Sequence, residues 1–543
     1  MHLFRSASFA LAALALYAQQ AAAPRRQQPS KAETCSIEGR VISAASGEGV
    51  NNAEIGVYAP DNQRYTTTTR ADGRFAVQEM ESGRYRLYVS KRGFARFMYG
   101  ARGNNRAGST LSLDPGQRLA DLVLRISPQG VITGRVLDED GDPVPFVMMQ
   151  LLRYGFDRGK RQLQAWGGGS TNDLGEYRIF GVSKGKYYLS ATMETDPEQY
   201  GTQGYVATYY PRAVDPAGAT AIEVRPGSLV RGVDITLLKT RTVSVRGRVI
   251  DPGKEPMGAS VQLIPRDQPE YMWGRSFANM DQQGSFEFRG VVPGAYYIDV
   301  RKYGNRITSG ARQALDVPES GIANVALELM PSAELKGQLR VEGRPASLSD
   351  AHITLRADEP SDTGWAGGPV KADGSFTVSN IGSLHYELMV NGLPEDYYLK
   401  SARLGGTEVQ DTGIDFTSGV TGSLDIVMSS NSGQIEGVVL DADDQPVTAA
   451  TVSLVPDDTR RARPRFYKVA TTDQYGRFIL KGVVPGGYKL FAWEDIADGQ
   501  YEDPEFLKSY ETQGWPVTVR ERSHESAQLK LIPAQETPAP KLP

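Results

Sequence analysis

The sequence predicts an all-β protein in which one small antiparallel β-sandwich is used five times in a row, and three observations predict it. Short stretches alternate apolar and polar side chains, the period of a strand with one buried face. Beyond the amino-terminal segment, no stretch sustains the period of about 3.6 residues that marks a helix. The alternating pattern also returns at intervals of about 100 residues, the size of one small domain. Glycine supplies 58 of 543 residues, above the usual ~7 %, as a chain with many turns requires.

Residues 1–23 are expected to be a signal peptide. His2 and Arg5 precede the apolar run Ala7 to Ala18, and small residues continue to Ala23, the layout of an export signal. The run is shorter than the ~20 apolar residues of a membrane span, and no second run of this kind follows. The mature chain is therefore expected outside the cytoplasm, in the periplasm, on the outer surface or secreted, with no integral span. Residues 24–34 read as a linker. The single cysteine, Cys35, has no internal disulfide partner; it reads as a small buried thiol at a strand start, with pairing to another chain left open.

Five units follow, at 35–127, 128–239, 240–331, 332–429 and 430–532, and then a Pro/Ala-rich tail at 533–543 that is expected to be disordered. Each unit opens with a strand of the form apolar-x-Gly-x-apolar, centred on Gly39, Gly134, Gly247, Gly337 and Gly437. Its repeated glycine reads as a close backbone approach or a bulge. A second alternating strand comes next, at Ile55, Met149, Val261, Ile353 and Val452. An Asp-to-Gly segment leads to an aromatic, as in Asp72-Gly73-x-Phe75 and Asp473-x-x-Gly476-x-Phe478. These segments read as hairpin turns, because Asp bonds its own backbone and Gly tolerates positive φ. A further strand carries Tyr85, Tyr187, Tyr296, Tyr386 or Tyr488 with two more apolar residues on the same face, a core pattern. A closing strand such as Val233-x-Ile235-x-Leu237 ends each unit.

On these residues the units resemble the carboxypeptidase regulatory-like domain, a transthyretin-like, Ig-like sandwich related to the Cna B-type repeats of bacterial surface proteins. The fifth unit, with Gly437 to Val439, Asp473-x-x-Gly476-x-Phe478 and Pro485-Gly486-x-Tyr488, is the clearest match. The fourth departs, with Ser383-Leu384-His385-Tyr386 in place of Pro-Gly-x-Tyr. The resemblance implies an extracytoplasmic, non-catalytic module, and some related sandwiches are classed with carbohydrate-binding folds. It also raises the Lys–Asn crosslinks of the Cna-type relatives. Lys336, however, stands where the other units have Glu38, Thr133, Arg246 and Glu436, a position expected to face solvent.

Enzyme chemistry finds little to work with. The chain has four histidines, and His352, His385 and His524 are scattered, with no pair spaced for zinc. His352 lies between inward-facing Ala351 and Ile353, so it is expected on the solvent face. No nucleophile elbow or phosphate loop occurs, and Gly167-Gly168-Gly169 falls between strands rather than before a helix. The acidic runs Asp138-Glu139-Asp140-Gly141-Asp142 and Asp441-Ala442-Asp443-Asp444 read as turns. Calcium is the one ion such loops would suit, although neither has the full calcium-loop pattern, and no cofactor is expected. With 60 basic against 64 acidic residues, net −4, there is no field to draw nucleic acid.

A binding role has positive signals. An aromatic precedes each Asp-to-Gly segment: Tyr65, Trp166, Trp273, Trp365 and the pair Phe466-Tyr467. Trp166, Trp273 and Trp365 have glycine neighbours, so each ring is read either as a flat stacking face for a sugar or as a cap on the open end of its core. A second candidate is the tyrosine-rich excursion of the second unit, with Tyr200, Tyr205, Tyr209 and Tyr210 before Pro211. The joins between units are short, which predicts a semi-rigid rod on the order of 150 Å long if strands run along its axis. The expectation is an exported, non-catalytic binding protein, carbohydrate-binding or adhesin-like at the cell envelope, with a glycan or an envelope protein as partner. A scaffolding rod without a small ligand, or an accessory subunit of an extracellular enzyme, are the alternatives.

Overall fold

The computed structural model describes residues 34–59, 63–101, 108–193, 203–251, 259–266, 276–303, 307–358, 364–417 and 419–534. The expected signal peptide, the linker up to residue 33, Tyr200, Trp273 and the tail from residue 535 lie outside the described residues.

In the first unit the opening strand Cys35–Ser43 lies between Arg74–Met80, which is antiparallel to it, and Arg118–Ile126, which is parallel. The facing sheet runs in the order Arg64–Thr68, Glu54–Tyr58, Gly83–Ser90. The plan recurs around the opening strands Gly130–Leu137, Val243–Ile250, Ala333–Glu342 and Gly433–Leu440. The otherwise antiparallel sandwich is thus parallel where its first and last strands meet, because the chain returns to that sheet by crossing over from the other. A separate apolar core fills each unit, with Ile37, Ile132, Val245, Ile353 and Ile435 wholly buried. Cys35 is buried and its thiol donates to Asp114 O at 3.0 Å.

The five opening-strand glycines share one cause. A Cβ at Gly39, Gly134, Gly247, Gly337 or Gly437 would fall well inside contact distance of a closing-strand carbonyl, that of Leu122, Val233, Val325, Leu424 or Ala527. The parallel pairing brings backbone against backbone there, and only glycine leaves the room.

The repeated tyrosines close their own turns. Tyr85, Tyr187, Tyr296 and Tyr488 each donate the phenol to the carbonyl four residues earlier, at 2.8, 3.0, 2.8 and 2.7 Å. In the divergent fourth unit Tyr386 instead accepts from Gly382 N at 3.1 Å. Tyr488→Phe removes one such buried bond and is expected to cost about 1 kcal/mol, read as a lower denaturation midpoint of the full chain. Buried threonines do similar work unannounced by any pattern: Thr69, Thr171 and Thr472 each accept an N–H and donate to a carbonyl across the strand entry.

The Asp-to-Gly segments are tight but are not hairpin turns. Arg70 N donates to Arg74 O at 2.9 Å and Arg74 N to Asp72 Oδ1 at 3.0 Å, yet the flanking strands Arg64–Thr68 and Arg74–Met80 belong to opposite sheets. Alternation alone cannot separate the two cases, since both strands turn their apolar side to the same core. Among the described residues one short α-helix, Pro504–Lys508, interrupts the strands, with Asp503 capping Glu505 N and Phe506 N. It covers an aromatic cluster of Phe491, Trp493, Tyr501 and Tyr510 on the outer side of the strand Gly486–Trp493.

The units do not form an extended rod. The first and fifth meet where Ser112 N donates to Gln474 Oε1 at 3.1 Å, Gln474 Nε2 to Ser112 O at 2.6 Å, and Gln117 Nε2 to Tyr475 OH at 2.7 Å. The fourth and fifth join through Arg465 Nε on Asp411 at 3.0 Å and Ser432 on Asp396 O at 2.6 Å. On the third unit the outward row Gln262, Asp299 and Arg301 is buried. Short joins limit how far apart neighbours sit but not which way the chain turns, so they could not determine the shape.

Candidate functional site

The aromatics that precede the Asp-to-Gly segments have different fates. Tyr65 packs edge-on to Tyr85, with ring centroids 6.0 Å apart, and Phe466 and Tyr467 are buried. Trp166 is the extra residue of a β-bulge, since Leu151 pairs with Gly167 and Leu152 with Ala165. The bulge sets its ring against the second core, 6.1 Å from Tyr187, with the Arg153 guanidinium 5.3 Å from the ring centre. Trp365 alone of the described members is exposed, at 61 %.

Strand Trp365–Pro369 has the burial pattern of an edge with one wet face. Its residues Trp365, Gly367 and Pro369 sit opposite Arg356, Thr354 and His352 of strand His352–Ala357. Those in turn sit opposite Glu387, Met389 and Asn391 of strand His385–Asn391. Directly opposed residues share a face, so the three rows form one platform: an exposed indole beside a glycine, with Asn391 Nδ2 bonded to Thr354 Oγ1 at 3.1 Å and an exposed His352. The Arg356 guanidinium lies 5.6 Å from the centre of the Trp365 ring and is held by Asp157 of the second unit at 3.0 Å. A flat apolar ring on a sheet face that also carries amide, hydroxyl and imidazole groups can stack a planar or CH-rich face, while the polar groups further along the face bond hydroxyls.

The tyrosine-rich excursion is packed rather than presented. Tyr209 is 1 % exposed against Leu152. Tyr205 is buried beneath Lys239, its hydroxyl 3.4 Å from Glu139, and Tyr210 rests on the second core. The ion pair with Lys239 holds the Glu139 carboxyl below its ordinary range. In the acidic runs Asp138 Oδ1 accepts from the backbone of Asp140 and Asp142, and Asp441 Oδ1 from that of Asp443 and Gln445, the geometry of turns. Among the described residues no three His, Cys, Asp or Glu side chains are placed to hold a metal ion. Lys336 is 73 % exposed and paired with Glu334. Among the described residues no helix is long and apolar enough to cross a membrane.

The second unit also exposes large apolar residues outside the aromatic positions. Phe146 is 76 % exposed with a φ of 58°, and Phe180, 74 % exposed, is in register with Val131 and Leu229 on one outer face. The signal for Phe180 was present, because it stands out of phase with Tyr177 and Ile179.

Two stretches, residues 36–122 and 434–502, match the model of the carboxypeptidase regulatory-like domain. The two matched stretches fall in the first and fifth β-sandwiches of the tandem array. No curated protein matches the chain. Among solved structures, the Bacillus anthracis TIE protein is 15 % identical with a TM-score of 0.17, covering 55 % of this chain, which spans 51 % of that one. The minor pilin GBS52 of Streptococcus agalactiae is 15 % identical with a TM-score of 0.24, covering 38 % of this chain and 97 % of that one. The major pilin subunit BcpA of Bacillus cereus is 9 % identical with a TM-score of 0.15, covering 74 % of this chain and 99 % of that one.

Proposed function

We propose that the protein is an exported, non-catalytic binding protein of the cell envelope that captures a glycan on the Trp365 platform of its fourth unit and needs no cofactor. The observation that carries this reading is the exposed Trp365 ring, on a sheet face that continues through Gly367 and Thr354 to His352 and Asn391. An exposed indole held on a sheet face offers the flat, amphipathic surface on which a sugar ring can stack. The apolar run Ala7 to Ala18 supports export. An envelope protein is the second reading of the partner, favoured by the row of Phe180, Val131 and Leu229.

The test is a glycan array followed by calorimetry on the best binder. Trp365→Ala is expected to weaken binding at least about tenfold, the scale of an aromatic hot spot. Phe180→Ala should leave glycan binding unchanged and instead reduce capture of an envelope protein. Equal glycan affinity in the wild type and Trp365→Ala would remove the platform from the account.

A further inference from the structure

The hairpin Met148–Asp157 and Lys160–Ser170 of the second unit ends in the two-residue turn Arg158-Gly159, with φ of 48° and 72°. Its tip reaches both the fourth and the fifth units. Arg158 bridges Asp358 at 3.2 Å and Glu387 at 3.3 Å, and Asp157 takes Arg356 at 3.0 Å. On the other side a Cβ at Gly159 would collide with Glu502 O, and Phe156 lies against Gly499. Three units thus converge on one charged junction, where the acids Asp157, Asp358, Glu387, Asp498 and Glu502 outnumber the arginines Arg158 and Arg356.

Two titratable groups, His385 and Glu502, line this junction. His385 Nδ1 faces the Asp358 carboxylate and Nε2 faces Thr412 O at 2.7 Å. Both are acceptors only, so both hydrogen bonds form only when the ring carries two protons. Asp415, the cross-strand neighbour of His385, adds a further negative charge. Asp358 accepts from His385 and Arg158 together, which ties the imidazole to the hairpin tip. Glu502 faces Asp157, Arg158 and Glu387 from the neighbouring units and Asp498, Tyr501 and Tyr467 from its own.

We propose that this junction is an acid-tightened clasp, in which the hairpin tip is held between the fourth and fifth units while Glu502 is protonated and is released as pH rises. Burial first, and then the charges of Asp157 and Asp498, push the Glu502 carboxyl up to about 7. A carboxyl raised on docking contributes to docking below its free range and loses that contribution as pH rises through the docked value. Release would also free Arg356 from Asp157, but the clasp does not depend on Trp365 binding anything.

Small-angle scattering of the full chain at pH 5.5 and pH 8.5 tests it. The expected result is a radius of gyration that rises with pH, away from the ~24 Å of a fully compact chain of this length. Glu502→Gln should lose at least half of that rise. Gly159→Val, which blocks seating of the tip by sterics alone, should give the expanded value at both pH values, with circular dichroism and thermal melting showing that the units remain folded. A radius of gyration that does not change or falls with pH would overturn the clasp, as would a rise that Glu502→Gln leaves intact. If Gly159→Val melts early, hydrogen exchange at residues 156–160 of the wild type substitutes for it: faster exchange at pH 8.5, after correction for the intrinsic rate, supports release, and equal protection overturns it.

Discussion

Gly437→Val is expected to unfold the fifth unit. The side chain would be driven into Ala527 O of the closing strand and the Phe478 ring at once, and neither can yield without breaking the parallel pairing that closes the sandwich. Overpacking of a side chain commonly costs about 1–3 kcal/mol, and a clash with backbone belongs at or above the upper end. The expected outcome in the full chain is loss of at least about 3 kcal/mol from the transition of that unit, with proteolysis confined to residues 430–532. Gly167→Ala is the control, because nothing lies within 4 Å of the added carbon, and its stability should stay within ~0.5 kcal/mol of wild type. A Gly437→Val protein that melts like the control would show that the closing strand is not held where the pairing places it.

The second large effect is expected at the Arg301–Asp299 pair. Arg301 Nη2 lies 2.6 Å from Asp299 Oδ2, and their side chains are 7 % and 6 % exposed. Gln262 Nε2 donates to the same carboxylate at 3.4 Å. The row sits on the outward side of the third unit, close enough to the fourth that Arg301, Arg312 and Asp299 act on the Tyr386 phenol, although burial is the main cause raising its pKa. Removing Arg301 leaves the buried Asp299 carboxylate with Gln262 and its cross-strand neighbour Arg312, and breaking a buried pair costs up to about 3–5 kcal/mol. Arg301→Ala should therefore lower the free energy of unfolding by up to that amount, read as a lower denaturation midpoint, while the double change Arg301→Met with Asp299→Leu should recover much of it, since a buried apolar pair of similar volume is often neutral or better. If the double variant is no more stable than the single one, the pair acts through contacts other than its own charge.

Both predictions arise where one strand or unit meets another, and that is where reading the chain residue by residue lost resolution. The opening-strand glycines were legible as a repeated demand for space, but not which atom claimed it; the parallel closing strand supplied the carbonyl. The tyrosine strands were legible as core, yet the phenol closing its own turn was not, because the bond depends on turn geometry that alternation does not encode. That the Asp-to-Gly segments join opposite sheets rather than paired strands was not legible for the same reason. Among the aromatics, Trp166 and Trp365 have nearly identical neighbours in sequence. A bulge at Trp166 and its absence at Trp365 send one ring inward and leave the other on the surface, and a bulge is a property of pairing between strands.

What the sequence by itself determined is the unit: five repeats of one alternating pattern, each able to bury an apolar face against itself, and the absence of residues spaced for the familiar catalytic motifs. Those properties are local, set by side-chain period, turn residues and composition. What only the tertiary structure decided is how the units meet. Ser112 with Gln474 and Arg158 with Asp358 lie 362 and 200 residues apart, and neither pair leaves a trace in the alternation of its own strand. The expected rod gave way to a chain folded back on itself because such contacts depend on the surfaces that five finished sandwiches present to one another, and those surfaces exist only once each unit has folded.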